Sequence, residues 1–253
     1  MSKRQEMREK RRREKIRNQI FTILLVVGGA VLITFALIVP GIRGSQNASA
    51  TATAAINNPV VVVTPTPINA LVDGVHLGDP NAPVKVDIYE DFRCSACKTY
   101  TETIEPSIIQ AYVDTGLVYY TFHNYIVIDN YDQTDASYTA ALAGMCAADQ
   151  NLFWEYHQTL YANQVTEEAF LFTNERLTQM AQNVGIEVEA FNQCLDDKVH
   201  EDTIQSDTAQ YEALVASQAD TRRFTPSVFV NGVRAETSLS AISAAIEAAL
   251  NGQ

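Results

Sequence analysis

The chain has 253 residues, 47% of them apolar and 19% charged, which excludes a mainly disordered protein and allows one substantial domain plus a targeting segment. Its net charge of −12 is unevenly spread: residues 1–18 hold nine Lys/Arg and three Glu, leaving nine basic and 27 acidic residues for the rest. A basic head on an acidic body speaks against nucleic-acid binding, because a basic run directly before an apolar stretch sets membrane topology.

Ile20 to Val39 is an uncharged run of 20 residues. As a helix it would reach about 30 Å, the hydrocarbon thickness of a bilayer. With the basic flank N-terminal, it predicts a cytoplasmic tail at 1–19, a transmembrane anchor at 20–39 and an extracytoplasmic remainder. A cleaved signal peptide is the rival reading. Its apolar region is typically about 7–15 residues, and the small-residue site Ala48-Ser49-Ala50 lies well beyond the full-length span. Residues 40–70, rich in Ser, Ala, Thr, Asn and Pro, predict an exposed linker. Within it Pro59 to Val63 reads as a short strand or as an apolar part of the tether.

The folded domain is expected over 71–253. Val84 to Tyr89 is β-rich and predicts a buried strand, followed by a helix over 95–113 kinked at Pro106. Leu117 to Ile128 predicts a second strand. Helices are expected at about 135–150, 151–163, 174–184, 187–196 and 198–218. Asn231-Gly232 between β-rich runs predicts a hairpin. An Ala-rich amphipathic helix, Leu239 to Leu250, closes the chain. This order predicts an α/β sandwich with a mixed sheet and a helical block inserted at about 133–220.

All four cysteines follow the apolar run. Cys94 and Cys97 form a CxxC at the junction of the first strand and the helix after it. The unpaired N–H groups and macrodipole of a helix N-terminus favour negative charge, so Cys94 is expected as a low-pKa thiolate. Cys97, on the same helical face, can attack a mixed disulfide on Cys94 and release the substrate. Such a pair needs no cofactor. Zinc would require about four ligands, and His76, His123, His157 and His200 show no matching spacing. An inert structural disulfide across the CxxC is the other alternative.

Cys146 and Cys194 remain, each within a predicted helix. A bridge between them would contribute roughly 4 kcal/mol in the chain-entropy model, and export favours it over two buried free thiols. Thr225-Pro226 precedes the Ser227 strand, where an ordinary trans proline is the plain expectation. Phe153, Trp154, Tyr156 and Tyr161 read as core. Strand alternation puts Asp87 and Glu90 on opposite faces, so at most one approaches the cysteines from the core side.

The segments Leu77-Gly78-Asp79-Pro80-Asn81-Ala82-Pro83-Val84, Tyr89-Glu90-Asp91-Phe92-Arg93-Cys94-Ser95-Ala96-Cys97 and Phe224-Thr225-Pro226-Ser227-Val228-Phe229-Val230-Asn231-Gly232 together resemble the DsbA-like branch of the thioredoxin superfamily. The resemblance implies a thioredoxin fold with an inserted helical domain. It implies Cys94 as the exposed attacking cysteine and Cys97 as the resolving one. It also implies a cis Pro226 that places the Thr225 backbone beside the disulfide, where it could pair with a substrate chain. A Cys146–Cys194 bridge would suit exported members. Two departures stand out. The dipeptide between the cysteines is Ser95-Ala96, without the family's frequent Pro or His. The position six before the first Cys, often acidic, is Ile88.

The expected function is oxidation of cysteine pairs in exported polypeptides. Reoxidation would come from a membrane partner of the DsbB or vitamin K epoxide reductase-like type, with the N-terminal helix in the lipid bilayer. The alternatives are a membrane-anchored reductase or isomerase, and a non-catalytic binding or chaperone module.

Overall fold

A computed structural model describes residues 59–164 and 172–252. The expected tail at 1–19 and anchor at 20–39 lie outside the described residues, among which no helix is long and apolar enough to cross a membrane. In chain order the elements are β1 (Val72–Asp73), β2 (His76–Leu77), β3 (Val84–Glu90), α1 (Ser95–Thr103), α2 (Glu105–Ile108), a π turn (Ile109–Val113) and β4 (Val118–Asn124). Then follow α3 (Asp129–Asp132), α4 (Ala136–Ala148), α5 (Phe153–Ala162), α6 (Asn174–Val184), α7 (Val188–Asp196), α8 (Glu201–Ser217), β5 (Ser227–Val230), β6 (Val233–Ala235) and α9 (Leu239–Asn251).

The six strands form one mixed sheet in the order β1-β2-β4-β3-β5-β6. β3 and β4 are parallel, and β5 runs antiparallel to β3 with Tyr89 opposite Ser227. The helical block enters after β4 and returns at β5. This is the thioredoxin fold with an inserted helical domain that the sequence predicts.

β3 is central and covered on both faces. Val84, Val86 and Ile88 join the main core with Phe153, Trp154, Tyr156 and Tyr161 of α5. On the other face Tyr89 and Phe229 pack on Tyr211 and Val215 of α8. His123 is also on that side, donor or acceptor to Asp207 of α8 at 2.9 Å and to Asp87 of β3 at 3.1 Å.

The helix expected over 95–113 with a kink at Pro106 forms: its break falls at Ile104, two residues before that proline, which lacks the N–H a continuous helix requires, and a π turn completes the segment. Other local details differ from the expectation. The strand expected to Ile128 ends at Asn124, because the Asp91 carboxylate accepts the N–H groups of Val127 and Ile128 at 2.8 and 2.9 Å and draws the chain off the sheet. The short β1–β2 hairpin, turning at Gly74 (φ 56°), went unpredicted, since two-residue strands carry no period. Residues 59–70, expected as linker, are bound to the domain as a strap. Asn163 pairs with both the N–H and carbonyl of Val61 (2.6 and 2.9 Å), Gln158 accepts from Thr66 N (2.8 Å), and Asp114 accepts from Ala70 N (2.9 Å). No strand forms over Val60–Val63.

Candidate active site

The turn from β3 into α1 is fixed from several sides. Asp91 is buried, and one carboxylate oxygen accepts the N–H of Arg93 at 2.8 Å. The Arg93 guanidinium is held by Asp129 (3.1 Å), Thr134 (2.7 Å) and Asp132. Gln164 donates to the carbonyls of Phe92 and Cys94 at 2.9 and 3.0 Å. These contacts leave Cys94 in extended conformation (φ −74°, ψ 118°) as the N-cap of α1, with its carbonyl accepting from Lys98 N. Cys94 is half-buried and Cys97 is buried, and both are free thiols.

The two sulfurs polarise one another. The Cys97 thiol donates to Cys94, the largest influence on that residue. Burial opposes it, while Thr225 and the N–H groups of Cys97 and Ala96 reinforce it, and the Cys94 thiol falls to about 6. Cys97 moves the other way, pushed well up by burial, then by its bond to Cys94 and the charge of Glu90. At neutral pH the reduced pair is thus a Cys94 thiolate beside a Cys97 thiol.

Thr225 and Pro226 stand across from the cysteines. Their peptide bond is cis, and the Thr225 carbonyl oxygen lies 3.3 Å from Cys94 Sγ. The Tyr211 hydroxyl secures this loop by bonding both the N–H (3.2 Å) and the carbonyl (3.1 Å) of Phe224. A shallow cavity of about 400 Å³ adjoins the pair, lined by Ala96, Tyr100, Ile104, Phe224, Pro226 and Thr237 among others. Cys146 of α4 and Cys194 of α7 are joined by a disulfide spanning 48 residues, within the helical block.

Behind Cys97 lies a group the sequence reading only half identified. Glu90 is 1% exposed, and its Oε2 is 3.1 Å from His157 Nε2 and accepts from the Tyr161 hydroxyl at 3.1 Å. Burial raises this carboxyl well above its ordinary range, the Tyr161 bond opposing and the Cys94 charge adding to it. Ile88 and Glu90 are two apart on one strand and share a face. Glu90 therefore puts a buried carboxyl on that face two residues nearer the cysteines. That period was legible. His157, Glu105 and Gln164 were missed, because their helices are brought to β3 only by the tertiary fold.

The sequence profile of the thioredoxin family matches residues 70–248. The chain belongs to that family, in its DsbA-like branch. Probable disulfide bond formation protein D of Bacillus anthracis is 30% identical over 173 residues, covering 68% of this chain and 76% of that protein. Disulfide bond formation protein D of Bacillus subtilis is 27% identical, over 61% of this chain and 66% of that protein. The crystal structure of oxidised BdbD from Bacillus subtilis matches with a TM-score of 0.60 at 25% identity, covering 77% of this chain and all of that one. The enzyme class expected from the sequence, a DsbA-like protein-disulfide oxidoreductase, is the class to which these relatives point.

Proposed function

We propose that this chain is a membrane-anchored, extracytoplasmic oxidase that donates the Cys94–Cys97 disulfide to cysteine pairs of exported polypeptides. A substrate thiolate attacks Cys94 Sγ, the Cys94–Cys97 bond breaks, and Cys97 leaves and takes up a proton. The second substrate thiolate then attacks its own mixed-disulfide sulfur. Cys94 departs as thiolate, the substrate is oxidised by two electrons, and the enzyme is left as thiolate plus thiol. A membrane partner of the DsbB or vitamin K epoxide reductase-like type would accept those electrons and restore the disulfide.

The reading is supported by the half-buried Cys94 at the N-terminus of α1 beside the buried Cys97, with the Cys94 thiol lowered to about 6. A leaving thiolate of low basicity departs faster and stabilises the reduced enzyme, which makes the disulfide the stronger oxidant. The Thr225 backbone offers an extended partner for a substrate strand, and the cavity between Tyr100, Ile104 and Phe224 suits an apolar side chain beside the reacting cysteine. The run 20–39 would anchor the domain, with residues 1–19 in the cytoplasm.

Two measurements test this reading. Equilibration of the Cys94–Cys97 couple with glutathione should give a potential well above that of a structural disulfide, and in cells the pair should be mostly oxidised. A strongly reducing potential with a mostly dithiol pair would instead identify a reductase or isomerase. A Cys97→Ser variant should accumulate mixed disulfides with exported proteins. The absence of any trapped species would point to a binding module.

A further inference from the structure

We infer that the proton exchanged by Cys97 travels through Glu90, the His157 ring and Glu105 to the cleft beneath the N-terminal strap. This inference rests on the exchange chemistry proposed above.

The groups form a buried line with one gap. Glu90 Oε2 is 3.1 Å from His157 Nε2, and His157 Nδ1 is 4.0 Å from Glu105 Oε2. Tyr120 donates to Glu105 Oε1 at 3.1 Å and its hydroxyl is 3.0 Å from that of Tyr100. His157 and Glu90 are sealed from solvent, but Glu105 and Tyr161 line a cleft of about 400 Å³ whose outer wall is the strap at Val63, Thr66 and Ile68. The line therefore runs from Glu90, whose charge acts on Cys97, to Glu105 in the cleft wall.

Its bonding is incomplete in the places a relay requires. Glu90 Oε1 and His157 Nδ1 are buried with no hydrogen-bond partner. A sub-ångström side-chain shift would bring Nδ1 within bonding distance of Glu105, so the gap is one a moving proton can close. Burial lowers His157, which is therefore a neutral imidazole with one donor and one acceptor nitrogen. Burial also raises Glu105, with His157 opposing and Glu90 adding, to about 7, so this acid exchanges protons readily near neutrality. The titratable groups facing the line are Glu90 from β3, Cys97 and Tyr100 from α1, Tyr120 from β4 and Tyr161 from α5. Glu102 and Asp114 stand at the cleft mouth.

The proton balance closes over the cycle. When the disulfide opens, Cys97 takes a proton from Glu90, the Nε2 proton of His157 replaces it, and Nδ1 accepts the Glu105 proton. Glu105 then recovers one from the cleft. When the dithiol is reoxidised the same proton leaves by the reverse route, which returns the ring to its first tautomer.

The test follows proton uptake by the oxidised full-length protein with a pH-indicator dye in weak buffer, across pH 5–9. Two reductants are used, a cysteine-containing peptide and a trialkylphosphine that needs no thiol exchange. Glu105→Gln should slow proton uptake about tenfold and remove the inflection near pH 7. Thr66→Trp, an exposed strap position that touches none of the relay groups, should slow uptake by narrowing the cleft if Glu105→Gln does not fold. Wild-type uptake and a retained inflection in either folded variant would overturn the route. If the peptide gives no mixed disulfide in the wild type, the oxidoreductase reading fails, while the phosphine arm still decides whether the path carries the proton.

Discussion

The Thr225 carbonyl oxygen stands 3.3 Å from Cys94 Sγ, although the two residues are 131 positions apart. The carbonyl can accept only from the protonated thiol and repels the thiolate, so the low Cys94 pKa arises in spite of it. The influences that lower it are the Cys97 thiol first, then Thr225's own side chain and the N–H groups of Cys97 and Ala96.

Thr225→Val keeps the carbonyl and removes the hydroxyl. The Cys94 midpoint, read from thiolate absorbance in the ultraviolet, should rise from about 6 by roughly half a unit to one unit. An unchanged midpoint would mean the side chain has no part in it.

Cys94 and Cys97 should separate in alkylation. The reduced protein should react with iodoacetamide at Cys94 alone, with a rate that rises through a midpoint near pH 6 and levels above it. Because this folded-state pKa is depressed, thiolate stabilisation of the reduced protein is fully present above the ordinary thiol range and is lost as pH falls through about 6. Mass spectrometry identifies the modified residue, and labelling of buried Cys97 at a comparable rate would contradict the geometry.

His123 predicts a second pH dependence of opposite sign. Burial pulls the ring down, but its bonds to Asp207 and Asp87 prevail and raise it to about 9. Its stabilisation is therefore fully present below about 6.5 and is lost as pH rises through about 9. Urea unfolding should show about 2–3 kcal/mol lost between pH 6 and 9.5, and His123→Ala should remove that dependence. A flat profile in the wild type would exclude this role.

Cys146→Ser should cost stability and spare exchange. The bridge closes 48 residues, so about 4 kcal/mol is expected from the chain-entropy model, less if the reduced chain retains structure. Thermal unfolding measures the loss. A comparable fall in peptide oxidation by protein still folded would give this pair a redox role.

The sequence was sufficient wherever the physics is local. Strand alternation set the faces of β3, the helix start defined Cys94, and Asn231-Gly232, both at positive φ, marked the β5–β6 turn. The helical block was legible from its apolar periods. What the sequence left open depends on which distant surfaces meet. The strap at 59–70 has a linker's composition but lies bound, because Asn163, Gln158 and Asp114 satisfy its backbone. His157 carries no signal in its own helix and gains a role only where α5 packs on the end of β3, placing its ring against Glu90. Periodicity fixes which way a side chain faces along its own element; only packing in three dimensions decides what it faces, and the charge of a buried acid or thiol depends on that.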